Sequence, residues 1–306
     1  MTFSVIVPIY NVEDYLEECL QSLKAQNFDD YEVICVNDGS TDNSRKILST
    51  WERTWPKMRV IDRDNGGLSA ARNTGLREAT GNYVIFVDSD DWVEASMLST
   101  LAQAIDNEDI VCFACRRTDS GATDSFLEEE NSGWDYYNRH ALETRMATPF
   151  VCVWQRCYRR QFLMDNNLWF QEGILHEDNE FTPRVLFKAQ ALKVIPQVLY
   201  NYRVRPNSIM THKRLRNKED LICIANELSK SFDKKNAIDK MTIYRSLTQY
   251  YQMAFIDNTP DIDKQLLPLI DWECYHRVSR TKLRHRLQYT AMRLSPSLFR
   301  TLNSIL

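Results

Sequence analysis

The chain has 306 residues, 43% of them hydrophobic and 26% charged, with only 8 glycines and 9 prolines. That composition excludes a collagen-like or largely disordered polymer and fits one large domain, or one domain with a helical appendage. A net charge of −4 excludes a general nucleic-acid-binding surface. The eight cysteines form no compact framework and read as the reduced, buried thiols of a cytosolic protein. Cys112-x-x-Cys115 has no second pair and no nearby His, so it reads as core strand rather than as a zinc site.

The chain enters a strand at once, with Phe3-Ser4-Val5-Ile6-Val7-Pro8. No basic and apolar leader precedes it, and no apolar run approaches the ~20 residues that span a bilayer. The expected location is the cytoplasm. Leucines at helical spacing then predict a helix over 12–25, followed by a strand over 31–37. A helix over 42–55, capped by Thr41 or Asp42, leads to a strand over 58–61. A helix over 68–79 stops at Gly81, and a strand over 83–87 and a helix over 94–105 close the series. Strand and helix in alternation predict a parallel sheet covered on both faces. Such sheets take ligands beyond the carboxyl ends of their strands. Here those ends are Pro8-Ile9-Tyr10-Asn11, Asn37-Asp38-Gly39-Ser40 and Asp88-Ser89-Asp90-Asp91.

The middle of the chain is less regular. A strand is predicted over 109–115, a polar and acidic loop or weak hairpin over 116–133, and an apolar, basic stretch over 151–160. A short helix over 160–166 and a longer one over 177–188 follow; the second has acids at its start and Lys188 at its end, as the helix dipole favours. Strands are predicted over 192–195 and 198–203, and beyond 213 only helices, over 215–232, 239–256, 261–278 and 282–294.

Asp88 and Asp90 share a face if the strand stays extended through them. Two carboxylates on one side suit a hard cation such as Mg²⁺ or Mn²⁺. A cation bridging to a diphosphate neutralises charge on the leaving group. Alone, the D-x-D spacing reads equally as a solvated acidic turn. Asp38 can accept a hydrogen bond from a base imide N–H, or it can form an Asx turn that caps the next helix. A dinucleotide fold needs G-x-G-x-x-G after its first strand; Pro8-Ile9-Tyr10-Asn11 stands there, and no P-loop motif occurs.

Four runs, in order and spacing, resemble family 2 glycosyltransferases of the GT-A fold. They are Val5-Ile6-Val7-Pro8-Ile9-Tyr10-Asn11, Val36-Asn37-Asp38-Gly39-Ser40-Thr41-Asp42, Asn65-Gly66-Gly67-Leu68-Ser69-Ala70-Ala71-Arg72-Asn73-Thr74-Gly75 and Val87-Asp88-Ser89-Asp90-Asp91. Glu172-Gly173-Ile174-Leu175-His176-Glu177-Asp178 and Tyr202-Arg203-Val204-Arg205-Pro206-Asn207-Ser208-Ile209 are similar to that family's later signatures.

The resemblance implies a Rossmann-like, mostly parallel sheet flanked by helices over 1–212, with a nucleotide-sugar half over 1–108 and an acceptor half over 109–212. A helical C-terminal region over 213–306 follows. It also implies an inverting transferase that moves a sugar from a nucleotide diphosphate sugar, usually a UDP-sugar, to an acceptor hydroxyl. A bacterial surface glycan on a lipid carrier is the implied acceptor. A catalytically silent nucleotide-sugar-binding module on the same fold is the alternative.

By position, the resemblance puts Pro8, Tyr10, Asn11 and Asp38 on the nucleoside and Arg72 near the base or phosphates. The other reading of Arg72 is a helix-surface arginine. Asp88 serves ribose or metal, Ser89 lies between the carboxylates, Asp90 takes the metal, and Asp91 faces the sugar or caps the following helix. Asp178 is the implied base, with Glu177 beside it; two acids there also suit a helix N-terminus. Arg203, Arg205 and His212 are candidates to close over the diphosphate.

The last stretch lies outside the resemblance. No acid follows Glu273, whereas Arg277, Arg280, Lys282, Arg284, Arg286, Arg293 and Arg300 do. Leu283, Leu287, Ala291, Leu294 and Leu298 keep near-helical spacing. Such a helix either lies on an anionic membrane surface, at the inner face of the plasma membrane, or packs on its own core with a solvated basic face.

Overall fold

The computed structural model describes residues 1–119, 122–124, 136–138, 152–204, 215–232, 237–256, 260–280 and 282–305. They fall into two compact units. One holds the described residues of Met1–Arg139, Cys152–Gly173 and Lys188–Ser208, the other those of Ile174–Phe187 and Ile209–Leu306. The run that includes Glu177 and Asp178 thus belongs with the C-terminal helices.

The first unit begins with β1 (Phe3–Ile9), α1 (Leu16–Lys24), β2 (Tyr31–Asp38), α2 (Ser44–Thr54), β3 (Met58–Arg63), α3 (Leu68–Glu78) and β4 (Tyr83–Phe86). The strands lie in the order β3-β2-β1-β4 and all run parallel. Every residue of β1 and β2 is buried, as expected of strands with helices on both faces. Helix α1 meets the sheet through Leu16, Cys19, Leu20 and Leu23, one stripe at helical spacing. Pro8 sits inside β1 without cost. The Ile6 carbonyl accepts the Val87 N–H at 3.0 Å, and Pro8 faces the same side, where β4 has already ended.

Beyond β4 the sheet turns mixed. It gains β5 (Trp92–Val93), β6 (Ile110–Asp119), β9 (Arg156–Arg159) and β10 (Ala191–Arg203), in the overall order β3-β2-β1-β4-β9-β6-β10-β5. Strand β9 is antiparallel to both of its neighbours, and β5 is antiparallel to β10. Short strands β7 (Ala122–Asp124) and β8 (Tyr136–Asn138) pair with β6 and β10. The stretch read only as apolar and basic becomes a 3₁₀ turn, Val153–Gln155, and then β9. The two strands expected over 192–203 are one strand with a register shift between Ile195 and Val198, where Pro196 cannot donate to the ladder. Helices α4 (Met97–Ala104) and α5 (Arg160–Asp165) complete the unit.

The cysteines are free thiols. Cys112 and Cys115 lie three apart on β6 and so point to opposite faces, which suits a core strand and not a shared ligand. Cys112, Cys152 and Cys223 depart from the expected burial: the first two are half-buried and Cys223 is exposed.

The second unit is helical: α6 (Glu177–Lys188), α7 (Leu215–Phe232), α8 (Ala237–Ala254), α9 (Pro260–Leu266), α10 (Trp272–Ser279), α11 (Leu283–Leu294) and α12 (Pro296–Ile305). The single helix expected over 261–278 is broken by a 3₁₀ turn, Leu267–Leu269, that contains Pro268. Asp271 restarts the chain as α10 by accepting the Cys274 N–H at 3.0 Å. The core of this unit includes Ile222, Tyr251, Phe255, Leu266, Tyr275, Met292 and Phe299. Tyr251 and Tyr275 stack there at 4.4 Å. No described helix is long and apolar enough to cross a membrane.

Candidate active site

Strands β2, β1 and β4 are adjacent and parallel, so their carboxyl ends open on one edge of the sheet. After β1 the chain turns through Asn11, at φ 51°. The Asn11 side-chain oxygen accepts the Thr41 N–H at 2.8 Å, and the Ser40 hydroxyl accepts the Asn11 N–H at 3.2 Å. Asn11 thus stitches the loops after β1 and β2 together. Pro8 is buried beneath them, and Tyr10 stands 50% exposed.

Asp38 closes β2 and is 2% exposed. Its two oxygens accept the backbone N–H groups of Gly66, at 3.1 Å, and Gly67, at 2.7 Å. Arg63 lies 3.3 Å from it. The Asx-turn reading of Asp38 is corrected: the Asn37 side chain accepts the Ser40 N–H, and the Asp42 side chain accepts the N–H of Ser44, the first residue of α2, whose N-cap position is Asn43 and not Thr41 or Asp42. Asp38 instead anchors the loop that opens α3, with lone pairs remaining on its oxygens. Gly39 makes this possible. It adopts φ +73°, and a Cβ there would lie 2.9 Å from the Asn65 nitrogen.

The D-x-D run does not continue the strand. Strand β4 ends at Phe86, and the Asp91 N–H donates to the Asp88 carbonyl at 3.0 Å, closing a turn. The expectation that alternation sets Asp88 and Asp90 on one face is therefore corrected, because a turn has no two-residue period. Arg72, expected to reach the nucleotide, is 1% exposed and bonds Asp88 Oδ1 at 2.7 Å, with its guanidinium over the Phe170 ring. It is no surface arginine, and it faces the site through Asp88. Ser89 is buried, whereas Asp88 and Asp90 are half-buried.

Asp91 lies beneath the turn, 2% exposed. One oxygen accepts the Tyr200 hydroxyl at 2.7 Å and the other the Arg203 N–H at 2.7 Å. It does not cap α4, whose N-cap position is Ser96. Burial, then the charges of Asp90 and Asp88, pushes the Asp91 carboxyl well above the usual range. Tyr200 is fully buried, accepts the Asp88 N–H at 3.1 Å and stacks on Trp154 at 4.5 Å. Its hydroxyl thus bridges the two ends of the D-x-D turn. Arg203 donates to the Asp90 carbonyl at 2.9 Å, pairs with Glu18 and lies over the Trp92 ring at 4.6 Å. Sequence reasoning missed Tyr200, Trp154 and Arg63. Tyr200 was visible only as a strand aromatic, since its partner Asp91 lies 109 residues away.

In the second unit, Glu177 and Asp178 form the first turn of α6 and are half-buried. His176 precedes them at φ 60°, and its carbonyl accepts the Asn179 N–H at 3.0 Å. Asp220 on α7 accepts the Leu175 N–H at 2.8 Å and so holds the segment that leads into the helix. Burial lowers the His176 pKa, although the nearby Glu177 and Asp220 charges act the other way. Arg205 and His212 lie outside the described residues.

An open α/β sheet with carboxylates, an exposed aromatic and backbone N–H groups at its strand ends defines a nucleotide-binding fold of the GT-A type. Residues 4–166 match the model of glycosyl transferase family 2, and the chain belongs to that family. It is 36% identical over 225 residues to the uncharacterized glycosyltransferase EpsJ of Bacillus subtilis (strain 168), covering 67% of this chain and 62% of EpsJ. To the uncharacterized glycosyltransferase YibD of Escherichia coli (strain K12) it is 33% identical over 262 residues, 80% of this chain and 75% of YibD. The crystal structure of Staphylococcus aureus TarS 1–349 in complex with UDP-GlcNAc shares the fold. The TM-score is 0.83 at 23% identity, over 99% of this chain and 91% of that one. In sequence, TarS is 31% identical over 212 residues, 67% of this chain and 36% of TarS.

Proposed function

We propose that the chain transfers a sugar, with inversion, from a UDP-sugar to a hydroxyl of a bacterial cell-surface glycan or glycoconjugate, at the inner face of the plasma membrane where a lipid-linked acceptor is met. The observation that carries the donor end is the Asp38 cradle beside the exposed Tyr10 ring and the D-x-D turn, on three adjacent strand ends. TarS, similar in fold and sequence, is a poly(ribitol-phosphate) beta-N-acetylglucosaminyltransferase solved with UDP-GlcNAc, which supports a UDP-sugar here.

In this reading Tyr10 stacks on the base, and Asp38, already oriented by two N–H groups, accepts the imide N–H. Pro8 and Asn11 shape the nucleoside loop, and Asp88 takes ribose or metal, held in place by Arg72. Asp91 supports the sugar side from below, through the turn that it anchors with Tyr200. Arg203, Arg205 and His212 are the basic groups that we assign to the diphosphate side.

The donor set fits a Mg²⁺ or Mn²⁺ ion at Asp88 and Asp90. Burial and then the charges of Asp90 and Asp88 raise the proton affinity of Asp91, and a cation beside the turn relieves the charge part of that effect. Among the described residues no three His, Cys, Asp or Glu side chains are grouped to hold a metal by themselves. An ion held by one or two carboxylates and the substrate's phosphates needs no such group. When bound, the ion would stabilise charge on the departing diphosphate.

Asp178 is the proposed base. The acceptor oxygen attacks the anomeric carbon as the bond to the diphosphate oxygen breaks, and the hydroxyl proton passes to the Asp178 carboxylate. Glu177 orients that turn. Calorimetric titration with UDP and Mn²⁺, followed by a panel of UDP- and GDP-sugars with nucleotide release as readout, tests the proposal. UDP binding together with turnover on a UDP-sugar supports it; binding without turnover on any sugar makes the chain a silent module instead.

A further inference from the structure

Helix α11 is packed the opposite way from what its composition suggests. It buries His285, Gln288, Ala291 and Met292. Gln288 is 1% exposed, and its polar atoms are occupied: it accepts from Gln252 and donates to Asn303, both at 2.8 Å. The leucines face out, with Leu283 72%, Leu287 45% and Leu294 73% exposed. At about 100° per residue these three leucines fall within about 40° of arc, a single row along the helix. Helix α12 continues the pattern, burying Phe299 while Leu298 and Ile305 stand out.

Charge says what covers this row. Arg280, Lys282, Arg284, Arg286 and Arg293 are all exposed on or just before α11, and the chain carries no acid after Glu273. On the helix wheel Arg286 and Arg293 lie to one side of the leucines and Arg284 to the other. A second copy apposed on this face would set its own five bases against these five with no acid from this segment between them, which opposes self-association. A surface of phosphate headgroups over acyl chains complements both features.

We propose that the α11–α12 face is a membrane-docking surface whose occupant is an anionic lipid bilayer. The leucine row enters the boundary between headgroups and acyl chains, and the flanking bases meet the lipid phosphates. None of these residues is assigned to the donor, the metal or the base, so vesicle binding tests docking separately from transfer.

The test uses the full chain and vesicles of phosphatidylcholine alone or mixed with phosphatidylglycerol. The protein should sediment with the mixed vesicles, not with the neutral ones, and should come off in about 1 M salt, where the screening length is about 3 Å. Leu287→Glu with Leu294→Glu should weaken binding by about tenfold or more for each leucine lost. Arg284→Glu with Arg286→Glu should weaken it as well. All four positions are exposed, so melting and UDP affinity should not move; Leu287→Gln with Leu294→Gln serves if the Glu pair alters the fold. Absent or equal binding to both vesicle types overturns the proposal. So does a dimer, seen by light scattering, that the leucine variants dissolve, which would give this face to a second copy.

Discussion

Tyr200→Phe isolates one hydroxyl. The ring stays against Trp154, with which Tyr200 stacks at 4.5 Å, so packing is kept. What goes is a fully buried group that donates to Asp91 at 2.7 Å and accepts from the Asp88 N–H at 3.1 Å. Two partners then lose a bond, and a buried group left unsatisfied costs about 1–3 kcal/mol. The Asp91 carboxylate keeps its bond from the Arg203 N–H, so its penalty falls toward the lower end. The sum is a loss of about 2–4 kcal/mol in stability. Because the same hydroxyl holds both ends of the D-x-D turn, UDP and Mn²⁺ affinity should fall too. Urea unfolding gives the first quantity and calorimetry the second. In a double-mutant cycle with Asp91→Asn the two losses should not add, since the residues share one bond. A variant stable to within about 0.5 kcal/mol of the parent, the range of ordinary surface substitutions, and with unchanged UDP affinity would refute the idea that this hydroxyl organises the turn.

Three further outcomes are expected. Asp178→Asn should leave nucleotide affinity near normal while turnover drops by at least ~10²-fold, with a smaller loss for Glu177→Gln; if Glu177→Gln fails and Asp178→Asn survives, the two roles swap. Chelation should abolish transfer, Mn²⁺ or Mg²⁺ should restore it, and Asp90→Asn should remove most turnover without unfolding; full activity in excess chelator rules out the metal role. His176 is held below its unfolded value of about 6.5, so the unfolded chain takes up the proton first: its contribution to stability is complete above about pH 6.5 and is lost as pH falls through that value toward the folded one. Urea midpoints across that window should decline less for His176→Asn, which tolerates the φ of 60°, than for the parent.

Local pattern carried a long way in this chain. The period of the apolar residues located the first four parallel strands and the helices between them, because both faces of a buried strand and one stripe of a covering helix must be apolar wherever the chain goes. Helices α6, at Glu177–Lys188, and α7, at Leu215–Phe232, coincide with their expected spans, since acids at one end and a lysine at the other mark the α6 termini. The strand-end carboxylates were legible for the same reason: a polar residue directly after an apolar run must lie where the strand leaves the core. Pro268 broke an expected helix, whereas Pro183 sits inside α6, so a proline by itself did not decide a boundary.

Tertiary structure decided what local pattern leaves open. No period reveals that β9 runs antiparallel between β4 and β6, because strand direction is set by the path of the chain and not by its residues. Nor could the sequence tell that Arg72 lies sealed under Phe170 and bonded to Asp88, or that Tyr200 meets Asp91. Each of those groups is ordinary alone, and its role exists only once residues far apart in the chain are brought to hydrogen-bond distance. The face of α11 is the same lesson in reverse. Spacing put Leu283, Leu287, Ala291, Leu294 and Leu298 on one stripe, but the leucines stayed out while burial went to His285, Gln288, Met292 and Ala291 at the stripe's edge, with Gln252 and Asn303 in place to satisfy the glutamine. The sequence determined the helical period; only the neighbours that each side met determined which side turned inward.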